Sequence, residues 1–518
     1  MPTSLLSTSY KSYFPYLGFP ANEILRARTE SQVKQYEREK LGWETAIRAA
    51  EKFSGGKRCY KGEGTGHVKK KYSEEKGYYN MCYWVQVEEC SKQWVVRFPL
   101  LGMMSEDTTR QRLRSEVATL QFLAAKTKVP VPKIIGYWEG DNELPPFTIT
   151  ENIDGIMLGL AMLRDIPPNL LNKIFKDLAT IQLELLSHPS EYIGMLDISE
   201  DGTSHSPSPT LGPYSMDAMA LELDGVYTLR SKPFTSSHDY YQFKLDVWNQ
   251  RLDGQQNAFS DIKDGRRLAL NESILREFLT KDALLRYDTN QFYLCHPDLH
   301  SRNVILDKSF HIAGIIDWEG ACFLPLASAC TPPQALFLFP ISRLQPMSPY
   351  FTEFESKTKR YIKILSEAES HSSVTRLFKK PFSELMTTYM EDKSFFLMRG
   401  LDDLRYLDDM VWQHLAPLLY PELEVRIAKA ISDNKESQTD ETTDVAERTS
   451  IAVDNVLRAF AEEQLQSQPG RLQEIESWVE GRLKDCDDYD QQLKDFRRTE
   501  EGVLEATKDL ENLNLKRD

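Results

Sequence analysis

The sequence predicts an α+β chain of two unequal lobes, a small strand-rich one and a larger, mostly helical one, with a helical tail behind them. Three observations carry this. Residues 67–100 are dense in β-forming side chains. From Leu158 onward long helical patterns take over. From about Asn434 the composition turns polar (NKESQTDETTD), and two amphipathic stretches follow. The 518 residues suit two or three domains. The boundaries fall at 1–55 for an N-terminal helical extension, 56–153 for the small lobe, 154–433 for the helical lobe and 434–518 for an acidic linker and helical tail.

Glu30 to Lys52 is charged, with Val33, Tyr36, Leu41, Trp43 and Ile47 as a loose apolar stripe, and predicts a helix packed on the next domain. Met81–Val87 (MCYWVQV) and Trp94–Phe98 (WVVRF) predict strands joined by the polar turn Glu88–Gln93. Leu113, Val117, Leu120 and Ala124 recur at helical spacing and build one stripe. Pro130 and Pro132 stop its continuation. Lys133–Trp138 and Phe147–Glu151 are further short strands. Beyond them Pro168–Ser187, Tyr240–Arg251, Glu272–Leu285 and Phe351–Glu367 predict helices, and Asp201–Gly212, rich in Ser, Pro, Thr and Gly, a surface loop. Only Val304–Ile316 is strongly extended in this half. Ile451–Leu465 and Leu472–Leu483 predict tail helices, docked on the body or open to a protein partner.

Composition narrows the function. No apolar run approaches the roughly 18 residues of a membrane span. The net charge is −15, and 22 acidic against 12 basic residues after Asn434 supply most of it, which disfavours nucleic-acid binding by the tail. Seven widely spaced cysteines without a Cys-x-x-Cys argue against a disulfide scaffold or zinc ribbon and suit a reducing compartment, with the cytoplasm as the default location.

The chemistry concentrates in Cys295–Glu319, CHPDLHSRNVILDKSFHIAGIIDWE. Asn303 lies five residues after Asp298. Val304-Ile305-Leu306 is a strand, Asp307-Lys308-Ser309 a turn, and Phe310–Ile316 a returning strand that ends at Asp317. A hairpin brings the residue before its first strand close to the residue after its second, so Asp298, Asn303 and Asp317 can converge. Two carboxylates and an amide oxygen are hard ligands that suit Mg²⁺, an ion that keeps water and substrate phosphates as further ligands. An Asp with an Asn five residues on, then a second Asp after a short hairpin, is an arrangement for phosphoryl transfer.

HPDLHSRNVIL…GIIDWE resembles the aminoglycoside-phosphotransferase-like family of the protein-kinase-like fold, and above all its large fungal subgroup. GYYNMCYWVQV…WVVRFPL and RSEVATLQFLAAKTKVPVPKIIGY extend the resemblance over roughly residues 75–330. It implies a bilobal kinase-like fold, ATP, Mg²⁺ and transfer of the γ-phosphoryl group to a small-molecule hydroxyl. The family's Gly-x-x-Asn turn falls on Gly77 and Asn80, which are preferred as phosphate-covering residues over Gly62–Gly66, read as a surface turn. Arg97 stands where kinases usually carry Lys, with Glu116 as its helix partner; Arg keeps its charge and can still bridge phosphate and carboxylate. The backbone of Glu151 and Ile153 would meet adenine at the interlobe hinge. Asp298 would accept or orient the acceptor's hydroxyl proton, while Asn303 and Asp317 would hold Mg²⁺. Some similar fungal proteins are mitochondrial, which makes that organelle the alternative location, although Glu23, Glu30 and the lack of Arg before Arg26 make a poor transit peptide.

His296-x-Asp298-x-His300 as a hydrolase metal cluster lacks a completing motif, and both histidines read better as local structural groups. A protein kinase would carry Gly-x-Gly-x-x-Gly before the first strands and Ala-Pro-Glu after Asp317, and neither is present. Glu319 could orient its loop or meet the acceptor. A catalytically weak nucleotide-binding or scaffold protein of the same fold is the alternative from another class; the presence of Asp298, Asn303 and Asp317 together speaks for retained chemistry.

Overall fold

The computed structural model describes residues 23–514 other than 68, 69, 73, 78, 102, 103, 200–208, 214–231, 260, 281–287, 338–348, 373–376 and 437–444. The predicted loop Asp201–Gly212 therefore falls mostly outside the described residues. The Glu30–Lys52 helix is two helices, α1 (Glu23–Lys40) and α2 (Trp43–Glu51), separated at Leu41-Gly42.

The small lobe is one antiparallel sheet. After β1 (Cys59–Lys61) the chain makes a small hairpin, β2 (Thr65–His67) and β3 (Lys70–Tyr72), then β4 (Glu74–Lys76). β1 and β4 pair with the same neighbour, β5 (Asn80–Val87), so the hairpin is an excursion from one interrupted edge strand. β6 (Trp94–Pro99), helix α3 (Glu106–Lys126), β7 (Ile134–Trp138) and β8 (Phe147–Glu151) follow, and the strand order is β1-β5-β6-β8-β7.

The two faces of this sheet have different fates, because successive side chains alternate across it. Tyr83, Val85 and Val87 of β5, Trp94, Val96 and Phe98 of β6, and Phe147 and Ile149 of β8 share one face and form a single buried cluster. Ala46, Ala49 and Ala50 of α2 complete that cluster, so the small side chains of α2 let it lie close on the sheet. The other face carries Cys82, Arg97 and Thr148 in register. Helix α3 starts at Ser105, whose hydroxyl accepts from the N–H of Thr108 at 3.2 Å, an ordinary N-cap. Its predicted stripe holds at Leu113, Val117 and Leu120 but not at Ala124, which is exposed, because Phe122 and Leu123 take the buried side of the last turns.

Beyond Glu151 the chain crosses to the second lobe through Asn152–Gly155. β9 (Ile156–Met157) pairs with β11 (Val304–Leu306), which pairs in turn with β12 (Ile312–Ile315), giving the order β12-β11-β9. β10 (Tyr293–Cys295) pairs with β13 (Cys322–Leu324), with Cys295 opposite Cys322. The longer helices of this lobe are α4 (Pro168–Leu186), α5 (Ser237–Gly254), α6 (Ile262–Thr280), α7 (Pro349–Glu369), α8 (Phe382–Glu391), α9 (Ser394–Asp402) and α10 (Pro421–Glu436). Helix α6 begins ten residues before the predicted Glu272.

The tail is α11 (Val445–Gln466) and α12 (Pro469–Asn514), one 46-residue helix where a short one was expected. Val453, Leu457, Phe460, Ala461 and Leu465 of α11 are at most 3 % exposed and belong to the main core. The apolar face of α11 is thus committed to the body rather than presented to a partner. Among the described residues, no helix is long and apolar enough to cross a membrane.

Candidate active site

Two strand pairs position the chemistry. The β10–β13 pair fixes the start of the 296–303 segment and the end of the 316–321 segment. The β11–β12 hairpin fixes the opposite ends. Because Val304 faces Ile315, Asn303 and Ile316 are neighbours, and the N–H of Ile316 donates to the carbonyl of Asn303 at 3.0 Å. The convergence expected from the sequence is therefore built by strand register.

Asn303 is buried, and its amide donates through Nδ2 to the carbonyl of Asp298 at 2.8 Å. That orients the amide and leaves Oδ1 as the atom able to take a cation. Asp298 is the exposed member, with Nε2 of His300 at 3.6 Å from Oδ2. His300 also accepts the N–H of Arg302 through Nδ1 at 3.2 Å and so caps the one-turn Ser301–Asn303 helix. Asp317 sits at φ 67°, a left-handed conformation that costs a non-glycine residue energy and is kept only where surrounding contacts enforce it.

His296 supplies one of those contacts. Its Nε2 lies 3.0 Å from the carbonyl of Ile316, and its Nδ1 accepts the N–H of Asp298 at 3.1 Å. An acceptor at Nδ1 requires the proton at Nε2, so the ring is neutral with one tautomer fixed. Burial, which lowers its pKa, outweighs the contrary pull of the Ile316 carbonyl, Asp317 and Asp298. The ring also packs on Trp318 at 4.7 Å between centroids. One imidazole thereby ties the Asp298 segment to the Asp317 segment.

Arg97 crosses the cleft. Nη1 donates to Glu116 Oε1 at 2.5 Å, the expected strand–helix pair. Nη2 donates to Asp317 Oδ1 at 2.6 Å and to Glu319 Oε2 at 2.7 Å. A second guanidinium, Arg112, one turn before Glu116 on α3, is 3 % exposed and reaches Glu319 Oε1 at 3.1 Å. Three carboxylates thus share two guanidiniums, and one negative charge is left over in a buried place. Burial lowers the pKa of Arg97, but Asp317, Glu116 and Glu319 outweigh it and hold the group well above its ordinary value. Glu116 is pushed up to about 7 by burial, with Glu319 and Asp317 adding to it and Arg97 opposing. Burial also raises Asp317, yet Arg97, His296 and Arg112 together bring it below the usual carboxylate range. An excess negative charge beside hard oxygen donors from Asp317 and Asn303 fits a divalent cation such as Mg²⁺.

Gly77 lies in the turn between β4 and β5, beside the strand that carries Arg97. Its N–H donates to the carbonyl of Asn80 at 2.8 Å, and Asn80 Nδ2 donates to Glu319 Oε2 at 2.8 Å. The glycine-rich Gly62–Gly66 segment is not the surface turn expected of it. Gly62 and Gly64 are buried, the N–H of Gly62 donates to the Trp84 carbonyl at 2.7 Å, and that of Gly64 to Gln93 Oε1 at 2.9 Å. These glycines root the β2–β3 excursion on the sheet.

At the crossing between lobes, Trp84 Nε1 donates to Asn152 Oδ1 at 3.0 Å and the N–H of Asn152 to the Gln93 carbonyl at 2.8 Å. The N–H of Glu151 donates to the Lys133 carbonyl at 2.9 Å, so a contact of Glu151 with a base would run through its carbonyl. The crossing rests directly on the hairpin below. A Cβ at Gly155 would lie 2.5 Å from the Leu306 carbonyl oxygen, and one at Gly314 would lie 2.2 Å from Ile153 Cδ1.

Sequence reasoning left Arg112 unmentioned and gave Glu319 only a loose role. Both face partners remote in the chain. The one local signal for Arg112 is its i, i+4 spacing from Glu116.

Residues 75–328 match the family model described as the phosphotransferase enzyme family. The protein named "Altered inheritance of mitochondria protein 9, mitochondrial" of Lachancea thermotolerans is 27% identical over 291 residues, 45% of each chain. Its namesake in Debaryomyces hansenii is 31% identical over 144 residues, 26% of this chain and 22% of that one. The chain spans a little under half the length of such curated relatives. Among solved structures, the streptomycin–ATP–APH(2")-IIa ternary complex aligns at 13% identity and a TM-score of 0.39, over 72% of this chain and 91% of that one. ADP-bound aminoglycoside phosphotransferase APH(2'')-Ib aligns at 14% identity and a TM-score of 0.33, over 76% and 95%.

Proposed function

Since residues 75–328 make this chain a member of the phosphotransferase enzyme family, we propose that it transfers the γ-phosphoryl group of ATP to a hydroxyl of a small molecule. The observation that supports the reading is that Asp317 meets Arg97, itself held by Glu116 of the other lobe, while Asn303 beside it holds the Asp298 carbonyl.

In this reading Asp298, the most exposed carboxylate of the group, accepts or orients the proton of the attacking hydroxyl. Asn303 Oδ1 and Asp317 would hold Mg²⁺, which when bound neutralises charge on the triphosphate. Arg97, held by Glu116, steadies the phosphates, and the turn of Gly77 and Asn80 covers them. The backbone of Glu151 and Ile153 meets the base. His296 keeps Asp298 and Asp317 at a fixed separation. The transition state of phosphoryl transfer is loose, so positioning and charge neutralisation contribute more than strong base catalysis.

The acceptor is a small molecule whose identity this reading leaves to an acceptor screen. The names of the relatives favour the mitochondrion over the cytoplasm as the compartment to examine first. The test is calorimetry of ATP binding, with and without Mg²⁺, on the chain and on Asp317→Ala. Mg²⁺-dependent binding that the variant loses supports the reading. Absence of binding under every condition would overturn it in favour of a scaffold of the same fold.

A further inference from the structure

Glu319 gathers three separate elements of the small lobe onto one carboxylate. Oε2 accepts from Asn80 Nδ2 at 2.8 Å and from Arg97 Nη2 at 2.7 Å, and Oε1 forms an ion pair with Arg112 Nη2 at 3.1 Å. Asn80 closes the phosphate turn. Arg97 belongs to β6 and Arg112 to α3. The turn is tied in twice more: the carbonyl of Tyr79 accepts the N–H of Leu100 at 2.7 Å, and the Tyr79 ring lies 5.3 Å from the Arg112 guanidinium. Arg112 is further confined by the sulfur of Met104, 3.2 Å from Nη1. Glu319 comes from the segment held between β12 and β13, in the other lobe.

We propose that Glu319 is the positioning residue that latches the phosphate turn onto the helical lobe, through Asn80 directly and through Arg112 at the turn's flank. The proposal rests on the phosphotransferase reading for the meaning of the turn. It goes beyond that reading in giving Glu319 and Arg112 a shared task and in making Asn80 a latch residue as well as a phosphate neighbour. A carboxylate is needed because one oxygen accepts from Asn80 and Arg97 while the other faces the charged guanidinium of Arg112. A carboxamide offers one oxygen and turns an NH₂ group toward a guanidinium. A hydrogen bond to a charged group is worth roughly 1.5–3 kcal/mol, so losing the latch frees the turn by one or two orders of magnitude in opening equilibrium.

The test compares Glu319→Gln, Asn80→Ala and the double variant with the full-length chain. Amide hydrogen exchange is read at Gly77 and Leu100, whose N–H groups are bonded within the turn. Exchange at both should speed up at least tenfold in Glu319→Gln and in Asn80→Ala, with little further gain in the double variant. With ATP and Mg²⁺, KM for ATP should rise more than kcat falls in each single variant. Unchanged exchange at Gly77 and Leu100 in both single variants would overturn the latch, as would fully additive effects in the double variant. Asn80→Ala removes only a half-buried amide, so it answers the question even where Glu319→Gln disturbs folding. If the chain itself shows no ATP binding, the phosphotransferase reading fails, and the exchange data still decide the latch.

Discussion

The guanidinium of Arg97 and the carboxylate of Asp317 meet at 2.6 Å across the cleft, joining the cation on β6 to the group placed to hold a metal. The same guanidinium bonds Glu116 and Glu319. Replacing Arg97 by Met leaves three carboxylates around the remaining Arg112. Breaking a buried ion pair from one side costs about 3–5 kcal/mol. Acid relieves that cost, because protonating a stranded carboxylate removes its charge. The fall in Tm caused by Arg97→Met should therefore be clearly larger at pH 8 than at pH 5. An equal fall at both values would show that the cluster is not held by charge.

Asp298 is the most exposed carboxylate of the site, and among the described residues it touches no guanidinium. Its proposed task is confined to the acceptor's proton, for which positioned groups contribute about 10²–10⁴-fold. Asp298→Asn should lose turnover by that order while ATP affinity, read by calorimetry, stays within a few-fold of the parent. A variant with full turnover would remove Asp298 from the mechanism.

His296 is expected to stay neutral across the physiological range. Its Nδ1 accepts from Asp298, its Nε2–H faces the Ile316 carbonyl, and burial works against the charged form. In ¹⁵N spectra the ring shifts should report one neutral tautomer, unchanged from pH 6 to pH 8. His296→Phe keeps the packing on Trp318 but loses both hydrogen bonds and leaves a buried carbonyl unpaired, at about 1–3 kcal/mol. Turnover should drop more than ATP affinity, since the change loosens Asp298 and Asp317 together. A titration near pH 6.5 in the parent would contradict this account.

What could be read in the sequence was what neighbouring residues decide. Asp298, Asn303 and Asp317 are joined by a hairpin of short strands, so their convergence follows from the register of β11 and β12. Arg97 interrupts an apolar run, and period-two alternation sends it to the face opposite Val96 and Phe98. Glu319 could not be placed this way. Its partners Asn80 and Arg97 stand 239 and 222 residues away, and no local pattern reports such contacts. Gly62–Gly66 was misjudged for the same reason, since its burial is set by Trp84 and Gln93 on later strands. Of the 46-residue α12 only Leu472–Leu483 is legible, because the charged residues beyond it lack an apolar stripe; in the fold Arg482 donates to the Leu252 and Gln255 carbonyls and keeps that part on the body.

Gly155 and Gly77 should respond in opposite ways to a methyl group. At Gly155 the added carbon would sit 2.5 Å from a backbone oxygen of β11 and 2.6 Å from Ile305 Cγ2, and backbone cannot move aside cheaply. At Gly77 the nearest atom is the Asn80 carbonyl oxygen at 3.3 Å, which a shift of a few tenths of an ångström relieves. Gly155→Ala should lower Tm by several degrees, at about 1–3 kcal/mol of overpacking, and weaken ATP binding through the displaced crossing. Gly77→Ala should leave Tm within about a degree. Equal Tm values for the two variants would mean that the crossing does not rest on β11 as tightly as the backbone indicates.

Asp409 offers a pH-dependent test of how the tail is held. It stands next to Asp408, whose carboxylate bonds Arg267 at 2.8 Å and Asn271 at 2.8 Å. Arg267 also reaches Asp264 at 3.1 Å and Asp454 of α11 at 3.5 Å. Among the described residues Asp409 itself has only a long contact with Gln413 Nε2, 3.4 Å. Burial, helped by Asp408 and against the pull of Arg267, pushes its pKa up to about 7. An acid whose folded pKa lies above its unfolded value binds more protons when folded. Its contribution is therefore most favourable below about pH 4 and is lost progressively as pH rises toward 7. Asparagine has the same shape and cannot ionise. Asp409→Asn should exceed the parent in Tm by a clearly smaller margin at pH 5 than at pH 8, because the parent's loss is only partly developed at pH 5 and complete at pH 8. Acids such as Glu116 and Asp402, which are remote from this junction in the chain, are present in both proteins and largely cancel in the comparison. A Tm difference that is the same at the two pH values would mean that Asp409 is ionised throughout and that the junction between α6 and α11 carries its charge without cost.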